Sequence, residues 1–169
     1  MVGVDTYSNQ GSAVALEVVR YLEQYTKEKG YLSIFSYGSL PAKKSNPFEG
    51  EQPFVMDSAQ LIYWAFQQAG IEMLGGSEQV NVKKIRRDPR FKVVYTEGQK
   101  QLHMINDFKI GDLLFFGSDT SHIGIFCGGC SFITISGSGD WDTTRGIRSL
   151  DLTSTYWWDF FNGAVLRWE

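Results

Sequence analysis

Residues 122–136 read HIGIFCGGCSFITIS, two short runs rich in β-branched and aromatic residues separated by Gly-Gly. This composition predicts a β-hairpin. Alternation puts Ile123, Ile125 and Cys127 on one face and His122, Gly124 and Phe126 on the other. On the return strand Ile133 and Ile135 share a face, opposite Phe132, Thr134 and Ser136. Two registers compete. A two-residue Gly128-Gly129 loop pairs Cys127 with Cys130 and sets Ile123 against Thr134. A three-residue Gly128-Gly129-Cys130 loop pairs Ile125 with Ile133 and Ile123 with Ile135. Only the second keeps both aliphatic rows on one side. A one-residue slip flips every side chain, so burial selects it. His122 and Thr134 then share the opposite face, and the bare Gly124 between them leaves space. That trio reads as a site, although a lone strand histidine by itself reads as structural.

Outward from the hairpin, further β signals are RFKVVYT (90–96), DLLFFGS (112–118) and GAVLRW (163–168). Helical periodicity comes earlier in the chain. Residues 12–29 form an amphipathic pattern, with Ser12 as its cap and Gly30 as its stop. Residues 31–53 carry the breakers of a loop. A second helix is predicted from Ser58 to Ala69, with Asp57 and Gln60 as a capping-box-like start and Gly70 as the stop. Helices first and strands later predict an α+β fold, with N-terminal helices packed on a central, largely antiparallel sheet in a single domain over 1–169. The basic run NVKKIRRDPR, with Lys83 to Arg90, has two readings: a solvated helix face and loop, or a contact surface for an anionic polymer.

The chain has 169 residues, 43% of them hydrophobic and 15% aromatic, with a formal net charge of -3. That suits a globular domain with a sizeable core and argues against nucleic acid or an anionic membrane as partner. No apolar run approaches a membrane span, and the first residues lack a signal-peptide pattern. Cys127 and Cys130 make one CxxC without a second pair at metal-ligand spacing, so a plain hairpin tip is expected, with no metal and no cofactor.

The stretch FVMDSAQLIYWAF (54–66) places Ser58 at a helix start, where serine is ordinarily a cap. In order along the chain stand MDSAQLIYWAFQQAGI, FKIGDLLFFGSDTSHIGIFCGGCSFITISGSG and GIRSLDLTSTYWWDFFNGAVLRW. This series, from about residue 30 to the end, resembles the NlpC/P60 family of papain-like cysteine peptidases. The pairing of Gly-Asp-Leu-x-Phe-Phe with His-x-Gly-Ile is the specific part. The resemblance implies a compact α+β fold that hydrolyses amide bonds in the stem peptides of bacterial peptidoglycan, often after γ-D-glutamyl. It implies a nucleophile at Ser58, where the family has cysteine, a base at His122 and an orienting residue at Thr134. A helix N-terminus stabilises a thiolate, and nearby backbone donors hold an oxyanion.

The match is incomplete. Ser58 stands for cysteine, Ala59-Gln60 for Ser-Gly, Phe35 for a tyrosine, and Thr134 for His or Asn. The leading expectation is therefore a cysteine-type wall endopeptidase in an inactive Cys-to-Ser form. A working serine hydrolase is the weakest reading, because a hydroxyl needs a better-oriented base than Thr134 supplies. The alternative is a natural pseudoenzyme or binding module that recognises wall peptides or a protein partner without cutting. Phe35, Tyr37, Asp57 and Trp141 are the expected substrate-binding residues, Trp141 through ligand stacking. The domain would act at the bacterial cell wall, carried there by a larger phage or secretion assembly. Of the adjacent Trp157 and Trp158, one is expected near the surface.

Overall fold

The computed structural model describes residues 11–29, 35–37, 46–49, 54–76, 80–136 and 146–169. Helix α1 (Ala13–Glu23) begins at Ser12, whose Oγ accepts the Ala15 N–H at 3.2 Å. It ends at Glu23 rather than near Lys29, and a 3₁₀ turn over Lys27–Lys29 follows. The buried stripe of Ala15, Val18, Val19 and Leu22 stops there, so further turns would have no apolar face to bury. Strands β1 (Phe35–Tyr37) and β2 (Phe54–Met56) form a separate parallel pair.

Helix α2 (Ser58–Gln68) carries the expected capping box. Asp57 Oδ1 accepts the Gln60 N–H at 2.9 Å, and Gln60 Oε1 accepts the Asp57 N–H at 3.1 Å. Gly70, at φ 86°, lies just past its end. Ser58, Ala59, Gln60, Leu61, Ile62, Tyr63, Ala65 and Phe66 are all buried, so α2 is covered on nearly every side, by α1 and by the sheet. The basic run forms a short helix, α3 (Val82–Arg86), capped by Asn81.

The sheet has six strands: β3 (Lys92–Tyr95), β4 (Leu113–Phe116), β5 (His122–Gly128), β6 (Ser131–Ser136), β7 (Gly146–Asp151) and β8 (Phe161–Arg167). Their order is β3-β8-β4-β5-β6-β7, with every neighbouring pair antiparallel. The architecture is α+β, as the order of patterns predicts. Strand β7 is not marked by alternation of its own. It pairs along β6, and Glu28 fixes it by accepting from Arg148 Nε and the Ser149 N–H, both at 2.7 Å.

The hairpin adopts the register that burial selects, with Ile125 opposite Ile133 and Phe126 opposite Phe132. Its turn differs from the expected three-residue loop. Gly128 pairs with Ser131, the register shifts between Phe126 and Gly128, and Gly129-Cys130 turn the chain. Gly128 and Gly129 take φ of 108° and 60°, which absorb the extra residue. Both cysteines are free; burial pushes the Cys127 thiol up to about 11.

Both faces of the sheet are buried. Leu113, Phe115, Ile123, Ile125, Ile133 and Ile135 pack toward the helices. Leu114, Phe116, Phe126, Phe132, Phe161 and Val165 form a second core with Met104 from the 3₁₀ turn Leu102–Asp107 and Phe108 immediately after it. A short helix, α4 (Thr155–Phe160), closes that second layer. It also carries both tryptophans. Both are partly buried and pack on the second core, Trp157 against Phe116 and Phe132, Trp158 against Phe161. A helix one and a half turns long presents neighbouring residues to different parts of one curved layer.

The Gly-Asp-Leu motif works structurally. Gly111 has φ 100°, and a Cβ there would come within 2.3 Å of Ala15 Cβ, so the position needs both freedoms of glycine. Asp112 is fully buried and takes the guanidinium of Arg167 in a two-pronged grip, 2.8 Å from Nε and 2.8 Å from Nη2. It also accepts the Lys109 N–H at 2.9 Å. The motif thus ties the start of β4 to the end of β8.

Candidate active site

Ser58 lies in the first turn of α2 and is 1% exposed. Its Oγ accepts the Ile123 N–H at 3.4 Å. The helix start therefore meets β5 at the peptide joining His122 to Ile123. The amides of Ser58 and Ala59 have no intrahelical acceptor, since the first backbone bond of the helix runs from Leu61 N to Asp57 O.

His122 and Thr134 come together directly. Thr134 Oγ1 lies 2.8 Å from His122 Nε2 and 2.8 Å from the Ile123 carbonyl. A carbonyl only accepts, so the threonine hydroxyl gives its proton to Ile123 O. It must then accept from the histidine, and the network assigns the proton to Nε2, leaving Nδ1 as the basic nitrogen. The space above Gly124 is not open, contrary to expectation. The Phe132 ring packs down on it, and a Cβ at Gly124 would meet Phe132 Cδ2 at 2.6 Å. The glycine serves ring packing, and the open site lies on the Ser58 side.

The imidazole of His122 sits among rings: Phe116 at 5.8 Å, Trp157 at 5.7 Å and Phe160 at 6.0 Å between centroids. Burial in this box pushes its pKa down to about 4, so the ring is neutral at pH 7. The unfolded chain takes up that proton near pH 6.5, before the native protein does. Stability is therefore full above about pH 6.5 and is lost as pH falls toward 4, by about 3 kcal/mol from this group. Urea unfolding at pH 7 and at acid pH should show the slope, and His122→Gln should flatten it. Equal slopes in the two proteins would show that His122 does not control it.

A cleft of about 290 Å³ opens over Ser58. Asp57, Ser58 and Ala59 form one wall, Asn81, Val82 and Lys83 a second, and Thr120 with Ser121 a third. Asp57 thus both caps α2 and lines the cleft. Phe35 and Tyr37 lie in β1, but their side chains, and all of Trp141, lie outside the described residues. The walls from α3 and from the β4–β5 turn escape sequence reasoning. The available signal was the pair Thr120-Ser121 immediately before His122. Thr120 holds φ 54°, unusual for a β-branched residue. Its hydroxyl joins Arg86 (2.7 Å), Glu97 (2.9 Å) and Asn162 (3.3 Å), while Arg86 also pairs with Glu97. This network holds the turn that delivers His122. Among the described residues no group of three or more His, Cys, Asp or Glu is placed to hold a metal ion.

Known proteins share this architecture. The peptidoglycan DL-endopeptidase CwlO of Bacillus licheniformis is 26% identical over 113 residues, 66% of this chain and 21% of that protein. A solved structure of a lipoprotein-like NLP/P60 family protein from Staphylococcus aureus is 19% identical with TM-score 0.55, covering 92% of this chain and 42% of that one. RipD from Mycobacterium tuberculosis, described as a non-catalytic NlpC/p60 domain protein adapted to peptidoglycan binding, is 12% identical with TM-score 0.54, covering 92% of this chain and 98% of that one. The chain thus spans about a fifth of its curated relative's length. Residues 44–165 match the NlpC/P60 family model, and with the sheet, the central helix and the ordered motifs this places the chain in the NlpC/P60 family.

Proposed function

We propose that this domain is a peptidoglycan endopeptidase by descent, built to cleave a stem-peptide amide bond after γ-D-glutamyl by Cys/His-type catalysis and silenced by serine at position 58. The observation that carries this is the meeting of Ser58 Oγ with the His122–Ile123 peptide at the mouth of a cleft. In this reading Ser58 occupies the nucleophile's position and His122 the base's. Thr134 is a positioning residue that fixes the imidazole tautomer. The amides at the start of α2 would hold the oxyanion. A serine hydroxyl is far less acidic than a thiol, and Thr134 lends the base only a neutral dipole, so attack is slow.

A second reading is a wall-peptide binding module, the role described for RipD. The neutral, ring-enclosed His122 favours it, because a thiolate–imidazolium pair costs more where burial opposes the charged ring. One comparison decides between them. The protein and its Ser58→Cys variant are incubated with purified peptidoglycan, and released fragments are identified by mass spectrometry. Fragments from the cysteine form alone, ending at γ-D-glutamyl, are the expected result. Binding without cleavage by both forms would overturn the endopeptidase reading in favour of the module.

A further inference from the structure

We infer that the Ser58 cleft continues into a cationic trough that takes a carboxylate-bearing segment of the bound peptide. This rests on the reading of the cleft as a wall-peptide site. A second hollow, of about 360 Å³, adjoins the first, and Lys83 and Thr120 line both. Lys83, Arg86 and Arg87 on α3 form one side, and the β4–β5 turn forms the other. Lys83 and Arg87 are exposed and, among the described residues, have no ion-pair partner. Arg86 is held by Glu97 and Thr120, so part of the trough is preorganised. The chain as a whole carries a net charge of -3, so these cations gather against the overall balance.

The occupant is an acidic peptide rather than a continuous polyanion. Asp119 and Ser118 line the same hollow, and a carboxylate beside the cations repels a uniformly charged polymer. The same two side chains can accept peptide N–H groups. Mixed polarity of this kind matches a backbone that carries one free carboxylate.

The test is calorimetric titration of the protein with a synthetic stem peptide bearing free carboxylates, and with the same peptide fully amidated, at low and high salt. The double variant Lys83→Glu/Arg87→Glu is compared with the parent. Lys92→Glu, on the edge strand β3 outside the trough, controls for overall charge. The parent should prefer the free-carboxylate peptide about tenfold at low salt, and the preference should shrink at high salt. The double variant should bind the free-carboxylate and amidated peptides equally, having lost the preference. Lys92→Glu should behave as the parent. Equal binding of both peptides by the parent, or loss of the preference in Lys92→Glu as well, overturns the trough and leaves the cleft reading standing. Binding of a glycerol-phosphate polymer through Lys83 and Arg87, with no preference between the peptides, replaces the peptide with a polyanion. Failure to bind either peptide overturns the cleft reading, and the trough with it.

Discussion

Replacing His122 with alanine in a Ser58→Cys background is expected to lower kcat/KM on peptidoglycan by about 10²–10⁴-fold. In the proposed mechanism the neutral imidazole takes the thiol proton as sulfur attacks the carbonyl. It later returns a proton to the leaving amine. The ring suits that task because Thr134 holds the proton on Nε2, which keeps Nδ1 unprotonated. Without the imidazole, the thiol depends on its own small thiolate fraction and on the helix N-terminus. Thr134→Val should cost less, because it frees the tautomer without removing the base. Its loss should fall mainly on kcat, since the hydroxyl is buried and cannot touch substrate. Steady-state kinetics on a soluble stem peptide, with far- and near-UV circular dichroism to confirm folding, reads both effects. Turnover by the folded His122→Ala variant at the rate of its parent would remove His122 from the mechanism.

Arg167→Ala is expected to lower the unfolding free energy by about 3–5 kcal/mol, with no direct effect on the cleft. Asp112 is fully buried, and the side chain of Arg167 is 11% exposed. Burial pushes the Asp112 carboxyl up, while the Arg167 fork and the Lys109 amide pull it back. Removing the guanidinium leaves a buried carboxylate with one amide in place of its counter-ion. The protein must then keep an uncompensated charge or protonate it. The double replacement Asp112→Leu/Arg167→Met should cost less than Arg167→Ala, because two apolar side chains leave no orphaned charge. Urea unfolding of the parent, the Ala variant and the double variant measures the difference. A loss below about 1 kcal/mol in Arg167→Ala would show the grip to be dispensable.

The Asp112–Arg167 pair bears on how family motifs are read. Gly-Asp-Leu and the final arginine strand were among the residues that suggested the family, yet in the structure the Asp112–Arg167 grip joins two neighbouring strands inside the sheet. Much of what is recognisable in this chain is architecture. His122 differs, since its imidazole meets Thr134 and its own peptide with Ile123 is the one that reaches Ser58. Ser58 shows the reverse pattern. Its capping context at the head of α2 was legible, but its approach to Ile123 joins residues far apart in the chain.

Local signals in this chain were sufficient wherever one element contains the whole interaction. Ser12 and the Asp57–Gln60 box start their helices because the cap and its amides lie within three residues. The hairpin register followed from two aliphatic rows that must be buried together. The α+β class followed from the order of the two periodicities. Other features depended on distant partners. Strand β7 exists because β6 and Glu28 hold it, although its own residues barely alternate. Gly124 is filled by Phe132, where alternation alone suggested free space. The cleft walls at Asn81–Lys83 and Thr120-Ser121 reach Ser58 only through folding. Sequence by itself thus determined the family, the helix starts and the hairpin pairing, whose energies are set by neighbours along the chain or by one alternating pattern. Only tertiary structure decided the enclosure of His122 and the shape of the cleft. Both depend on which side chains from separate elements exclude water from the same space, and no periodicity along the chain encodes that.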